Sequence, residues 1–343
     1  MPLRKIVRGL IWVLLVFYAL NSYVLHKTGG SGSELKDDLY QKHLRHLKSI
    51  NEIFEKKSNI QLELTPDSAL ANVTDLAVDA KGNYLICDGT QLNQVWIFSP
   101  EGRFLRYLSQ PGQGPGEYYA PLSAAVDEEG NILINDYLQS KIIYFDQEYR
   151  YKKEIKNVRG HFIHVNSRGE IYLYEGMLRP MSKSVFDTIK KVGQDGRIIF
   201  SFAPLMEEIL ATHFSFMGDG MDIGSDDSIY EMNPLYYQVR KWSPEGKFLK
   251  AFDVPKPFEG IKKRGDDYVI LNGPFCLDDN IVIVQRSGLI DLYDKEGHYL
   301  AGSLSLPGNI RYARGRDMYV ELWEGEAASE QSNPRIICYR LRK

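Results

Sequence analysis

Apolar residues in this chain come in short runs broken by turn residues. Between Val73 and Pro121 the runs are TDLAVD, NYLICD, QVWIF and RFLRYL, with Gly82 and Gly102 in two of the turns. Four such runs joined tightly predict one antiparallel four-stranded meander. Much of the remaining chain repeats this unit. An apolar residue, a short turn with an acidic residue and usually Gly, and a new strand recur at Phe98-SPEG-Arg103, Phe145-DQEY-Arg150, Val192-GQDG-Arg197, Trp242-SPEG-Lys247 and Tyr293-DKEG-His298. Their first residues lie 47, 47, 50 and 51 positions apart. Gly at the fourth turn position takes positive φ without strain, so the third and fourth strands of a unit join tightly.

A second mark precedes each of these turns: VDAKGN (78–83), VDEEGN (126–131), VNSRGE (165–170), IGSDDS (223–228) and CLDDN (276–280). These read as hairpins between strands one and two. Repetition at ~40–45 residues is the mark of a β-propeller, and about 280 residues hold six blades. The sixth unit, NIRYARGRDMYVELW then RIICYRL, has three candidate strands. Asn59 to Thr65, with Ile60, Leu62 and Leu64 alternating against polar neighbours, supplies the fourth and closes the ring, so that no edge is left open. Blade three carries an insertion at 176–191 and blade four a long approach at 201–220, in which PLMEEIL suits a short helix. Both are expected to border any binding site.

The N-terminus has a different pattern. Arg4, Lys5 and Arg8 precede an apolar run from Leu10 to Leu25. At 16 residues the run is short for a span, which needs ~20, but snorkelling of Arg8 and Lys27 lengthens it. No small-residue cleavage motif is evident, so an uncleaved signal anchor is expected ahead of a cleaved signal; either leaves the basic cluster inside and the body extracytoplasmic, periplasmic or extracellular. A Gly/Ser linker follows, then a predicted amphipathic helix from Ser33 to Lys57 with Leu35, Leu39, Leu44, Leu47, Ile50 and Phe54 on its stripe. The expected organisation is 1–28 anchor, 29–58 linker and amphipathic helix, 59–343 propeller. The fold class is all-β: a six-bladed β-propeller closed by its N-terminal strand and preceded by a membrane-anchor helix and a short amphipathic helix.

Composition adds limits. Formal charge is −3, and −6 without the three N-terminal cations, with no Lys/Arg block, which argues against nucleic acid as a partner. Cys87, Cys276 and Cys338 lie in separate apolar runs without metal-binding spacing and read as buried hydrophobes.

AVDAKGNYLICD and AAVDEEGNILIND, followed by VWIFSPEGRF and IIYFDQEYRY, resemble NHL-type repeats. The resemblance is clear over residues 70–155 and faint afterwards, and the usual Asn-x-Arg start of the third strand is replaced by Asn93-Gln94-Val95 and Ser140-Lys141-Ile142. GQGPGEYYAP (112–121) resembles the GxGPGE(Y/F) loop of bacterial six-bladed propeller proteins, typically exported. That resemblance implies a bacterial envelope protein without naming a ligand.

Candidate chemistry is sparse. Gly112, Gly114 and Gly116 lack the Lys-Ser/Thr of a phosphate loop. Asp88 and Asp136 end equivalent second strands, where Asp bonds turn amides or forms a carboxylate ring at a channel mouth. His161, His164 and His213 fall near blades three and four, but His161 and His164 point to opposite strand faces and no third zinc ligand is evident. His43 and His46 lie three apart without a carboxylate partner. MGDGMDIGSDD, with Asp219, Asp222, Asp226 and Asp227, reads as a solvated turn, not an EF-hand loop. No GxSxG or HExxH motif occurs. The expected role is binding or scaffolding, through Glu117, Tyr118, Asp88, Asp136, His161, His213 and Arg286 on the top face. The expected partners are proteins, peptides or glycans there and the membrane through the N-terminal helix. No cofactor is required. The alternative is a metal-dependent enzyme, a calcium lactonase-like hydrolase or a zinc lyase, with its site in the central channel.

Overall fold

A computed structural model describes residues 49–343 except 65–68, 179–185, 207–208, 210–215, 234, 253–259, 262, 265–266, 269–270, 279–280, 287 and 324–332. The anchor, the linker, His43, His46 and His213 lie outside the described residues, as do Glu207, Glu208 and Leu210 of PLMEEIL. Among the described residues no helix is long and apolar enough to cross a membrane.

Six four-stranded antiparallel sheets form the body. Blade one is Asp75–Val78, Tyr84–Asp88, Gln94–Phe98 and Phe104–Tyr107. Blade two is Pro121–Val126, Ile132–Asp136, Lys141–Phe145 and Tyr151–Lys156. Blade three is Phe162–Val165, Ile171–Tyr174, Asp187–Val192 and Ile198–Pro204. Blade four is Met221–Ile223, Ile229–Glu231, Arg240–Trp242 and Phe248–Ala251. Blade five is Leu271–Leu277, Ile281–Arg286, Leu289–Asp294 and Tyr299–Ser305. In blade six, Asn309–Arg314, Asp317–Leu322 and Arg335–Leu341 are completed by Phe54–Gln61. The first strands touch from blade to blade all the way round, six to one included, so they line a central channel.

The period of two along a strand explains the cores. In blade one Leu76, Ile86 and Trp96 turn toward blade six, while Ala77, Leu85, Val95 and Ile97 turn toward blade two. Each of the six blade interfaces holds one such apolar cluster. The middle strands are therefore buried on both faces, which is why they read as continuous apolar runs.

The closing strand starts earlier than the sequence pattern predicts. Ser49 caps a single helical turn, Ile50–Ile53, with Glu52 completing the capping box, and the strand begins at Phe54, not Asn59. Phe54 pairs with Leu341 and is fully buried between blades five and six, so sheet register overrides the helical periodicity over 54–57. Beyond the strand, Asn333 fastens the chain: its Oδ1 accepts from the Leu70 amide at 2.7 Å, and its carbonyl accepts from Gln61 Nε2 at 2.5 Å.

The strand-three-to-four turns carry glycine for two reasons. Gly102 has φ +86°, and a Cβ there would lie 2.4 Å from the carbonyl oxygen of Gln61, where the closing strand ends. In blade two the same place is Tyr149 at φ +62°; its hydroxyl donates to Asp79 Oδ2 (2.5 Å) and accepts from Asn83 Nδ2 (2.7 Å), tying blades one and two. The insertions of blades three and four meet each other, Met177–Leu178 pairing with Phe216–Met217, at the end of the propeller away from the one-to-two turns.

Candidate binding site at the channel mouth

A cavity of about 400 Å³ occupies the channel and is lined by the first strands of all six blades. It reaches the face of the one-to-two turns, where Glu128, Ser167, Asp227 and Gly315 form its rim. Of the two segments expected to border a site, the blade-four approach contributes Asp219 to the lining, and no described residue of 176–191 does.

The polar wall follows from the repeat. Asp75 and Ser123 each stand four residues before a turn aspartate (Asp79, Asp127), and Asp222 stands one residue before the end of its strand, the place held by His164 in blade three. From both places a side chain reaches the next blade's first strand. Asp75 Oδ2 accepts from the Ala124 amide at 2.9 Å, Ser123 Oγ from Ile163 at 3.0 Å, and Asp222 Oδ2 from Cys276 at 2.7 Å. These bonds bolt blades one to two, two to three and four to five. Two residues on, blades one and two have Ala77 and Ala125, and blade three has His164.

His164 Nε2 lies 2.9 Å from Asp219 Oδ2, and Nδ1 lies 3.8 Å from Asp222 Oδ1. Burial opposes the imidazolium, but the charges of Asp219, Asp222 and Asp75 outweigh it and raise its pKa to about 9. Burial also raises Asp75 to about 7, against the Ala124 amide and with Asp219 adding to the rise. Burial raises Asp222 to about 6, against His164 and the Cys276 amide. The centre thus carries several groups that exchange protons between about pH 6 and 9 and remain in contact with the cavity. Tyr312 and Arg314 of blade six complete the wall, and Cys276 lines it from blade five. Among the described residues no three His, Cys, Asp or Glu side chains converge as metal ligands.

The six described residues expected to form a top-face site are placed elsewhere, and none lines this cavity. Asp88 is fully buried and accepts from the amides of Ala71, Asn72, Gln91 and Leu92. Asp136 is equally buried and accepts from Tyr119, Ala120 and Gln139. Both stitch the loop before their blade to the turn after the second strand, and they form no carboxylate ring. Glu117 accepts from the Gly114 amide (2.7 Å) and Gln110 Nε2 (2.6 Å). A Cβ on Gly112 would strike its carboxylate, which explains the glycines of GQGPGE without any phosphate. Tyr118 is fully buried; its hydroxyl donates to Gln94 and accepts from the amides of Val95 and Ser109. Arg286 donates to Asp291 Oδ2 (2.6 Å) and Ser303 Oγ (2.6 Å) inside blade five.

His161 and His164 do face opposite ways. His161 is buried and stacks on Tyr137 at 4.4 Å; its Nδ1 lies 2.8 Å from Glu175 Oε1, out of line for a hydrogen bond. Burial works against the Glu175 carboxylate, yet His161 and Lys190 hold its pKa at about 2. His164 is the histidine that meets the channel. Asp75 and Asp222 had a legible signal, a carboxylate in an otherwise apolar inner strand, whereas Asp219 lies in the loop before its strand and had none.

A family model described as a 6-bladed β-propeller matches residues 37–215, just over half of the chain. Solved structures agree on the fold. A Bacteroides fragilis protein assigned as exported is 14% identical, covers 86% of this chain and 97% of its own, and superposes with a TM-score of 0.58. A member of the DUF4221 family from Bacteroides vulgatus is 8% identical over 84% of this chain and 98% of its own, with a TM-score of 0.55. Virginiamycin B lyase of Staphylococcus aureus is 14% identical over 84% of this chain and 100% of its own, with a TM-score of 0.52. At these identities the likeness is one of fold. No curated protein matches the chain's sequence, and no comparison supports the NHL-type label.

Proposed function

The chain belongs to the six-bladed β-propeller family DUF5128, and we propose that it is an envelope binding protein that takes a polar ligand in the mouth of its central channel. The observation that carries this is the lined cavity itself. It is walled by carboxylates (Asp75, Asp219, Asp222) and by cations (His164, Arg314), so it recognises hydrogen-bonding and charged groups, as a peptide or glycan presents, over apolar ones. Such a ligand would compete for His164 and Asp219, which are only partly buried and hold each other in a single contact. Placement outside the cytoplasm is supported by the Arg4, Lys5, Arg8 and Leu10–Leu25 pattern and by the exported Bacteroides fragilis relative.

The competing reading is a channel enzyme, and the same fold houses a lyase. His164 favours it, as an imidazolium facing a cavity can donate a proton. Two measurements separate the readings. The first is elemental analysis of the purified full chain, with thermal melts before and after chelation. Near-stoichiometric calcium or zinc, with a lowered melting temperature on chelation, moves the protein to the metal-enzyme class. A metal-free protein with an unchanged melt keeps the binding reading, and a thermal-shift screen of envelope peptides and glycan fragments follows. Ligands that stabilise the wild type and not His164→Asn support the channel site. Stabilisation equal in both places the ligand elsewhere and overturns it.

A further inference from the structure

We propose that the Arg314–Glu128 ion pair is a gate over the channel mouth; the ligand it admits rests on the channel-site reading above, whereas the gate itself does not. Arg314 ends the first strand of blade six, and Glu128 sits in the one-to-two turn of blade two. Blade one lies between them, so the contact of 3.4 Å from Arg314 Nη2 to Glu128 Oε1 reaches across that blade. Two cavities meet at it: the channel cavity of about 400 Å³ and a second of about 280 Å³ between blades six, one and two. Both side chains line both cavities, together with Val126 and Tyr312, so the pair stands at the partition.

Its chemistry suits opening. The side chains are 42% and 67% exposed, and an ion pair so solvated biases its closed form by no more than about fivefold. When it parts, Arg314 has Tyr312 and Asp127 beside it, so its charge keeps favourable neighbours. No backbone movement is required, because both groups sit on long side chains. The closed gate also places a cation over a lumen that contains Asp75, Asp219 and Asp222. An incoming cationic or hydrogen-bonding group therefore meets Arg314 first.

All three cysteines are buried. Cys276 borders the channel cavity while packing in the apolar cluster between blades four and five, whereas Cys87 and Cys338 do not border it. Cys276 therefore serves as the reporter and the other two as references for general loosening. The full chain is treated with methyl methanethiosulfonate, which transfers its methylthio group to a thiolate and releases methanesulfinate. The rate at each cysteine is read by peptide mass mapping. Arg314→Gln and Glu128→Gln should each raise the Cys276 rate about two- to fivefold and leave Cys87 and Cys338 unchanged. Sodium chloride at about 1 M should do the same in the wild type, and the reversed pair Arg314→Glu with Glu128→Arg should restore the slow rate. An unchanged Cys276 rate in both single variants, including no modification in any form, overturns the gate. So does a parallel rise at all three thiols, which would report general loosening. No ligand enters this assay, so its outcome is independent of the ligand screen.

Discussion

Asp75→Asn isolates what the buried carboxylate of the channel wall costs. In the wild type its pKa is about 7 in the folded protein against an ordinary 3.8, burial being the main cause. A group whose pKa is raised on folding contributes stability that is present below the unfolded value and is lost as pH rises through the folded one. Between pH 5 and 7 the unfolded chain has released this proton and the folded chain still holds it. The two units, at about 1.4 kcal/mol each, set a ceiling of about 3 kcal/mol. Solvent screening of the partly exposed carboxylate reduces this to about 1–2 kcal/mol. Asparagine keeps an acceptor for the Ala124 amide and cannot ionise. Its own cost, one weakened bond to the adjacent Leu76 amide, is the same at both pH values. The wild type should therefore melt a few degrees lower at pH 8 than at pH 5, and Asp75→Asn should recover about 1–2 kcal/mol of stability at pH 8 relative to pH 5, read from denaturant titrations at each pH. A variant equally destabilised at both, or one whose loss grows with pH, would mean that the ionised carboxylate is a net stabiliser and that the burial argument is wrong.

Other consequences follow from the same geometry. His164→Asn should destabilise by about 1–3 kcal/mol near pH 6 and the difference should fade above pH 9, because the imidazolium that it removes is lost there anyway; melts from pH 6 to 10 would show this. Phe54→Ala should cost about 3–5 kcal/mol by opening a cavity between blades five and six, measured by urea unfolding. Gly102→Ala should cost about 1–3 kcal/mol, since both its φ and the Gln61 carbonyl oppose a Cβ; the same change at Gly169, also at positive φ but in open space, should cost less.

The repeat was readable because every blade solves the same two problems, closing hairpins and burying strands on both faces, with the same residue types at the same intervals. Gly102, Gly196, Gly246 and Gly297 announce one turn, and Asp79, Asp127 and Asn166 the other. The site was less readable because its residues are departures from the repeat and not features of it. His164 stands where two other blades carry alanine, and Asp75 stands in the middle of an apolar run. The repeated polar residues, Asp88 and Asp136, attracted a functional reading by their regularity, yet regularity is what a structural role produces: each satisfies the amides of its own blade's loops. Helical periodicity misled from Phe54 to Lys57 for a related reason. Phe54 fits a helix stripe equally well, and only the pairing with Leu341, 287 residues away in sequence, assigns it to the sheet.

That pairing also sets where the chain enters. The third strand of blade six ends at Leu341, at the end of the propeller that carries the one-to-two turns, so Phe54 and the residues before it start from that same end. The channel mouth, with Glu128 and Arg314 at its rim, opens there too. A body tethered through its N-terminus would therefore present the gate toward its own anchor, and the opposite end, with the paired insertions of blades three and four, away from it. Epitope tags in the two regions, at Gly315 and directly after Leu178, should then differ in access to antibody on intact envelopes, with the Leu178 tag the more reactive. Equal access would argue against a short tether at that end.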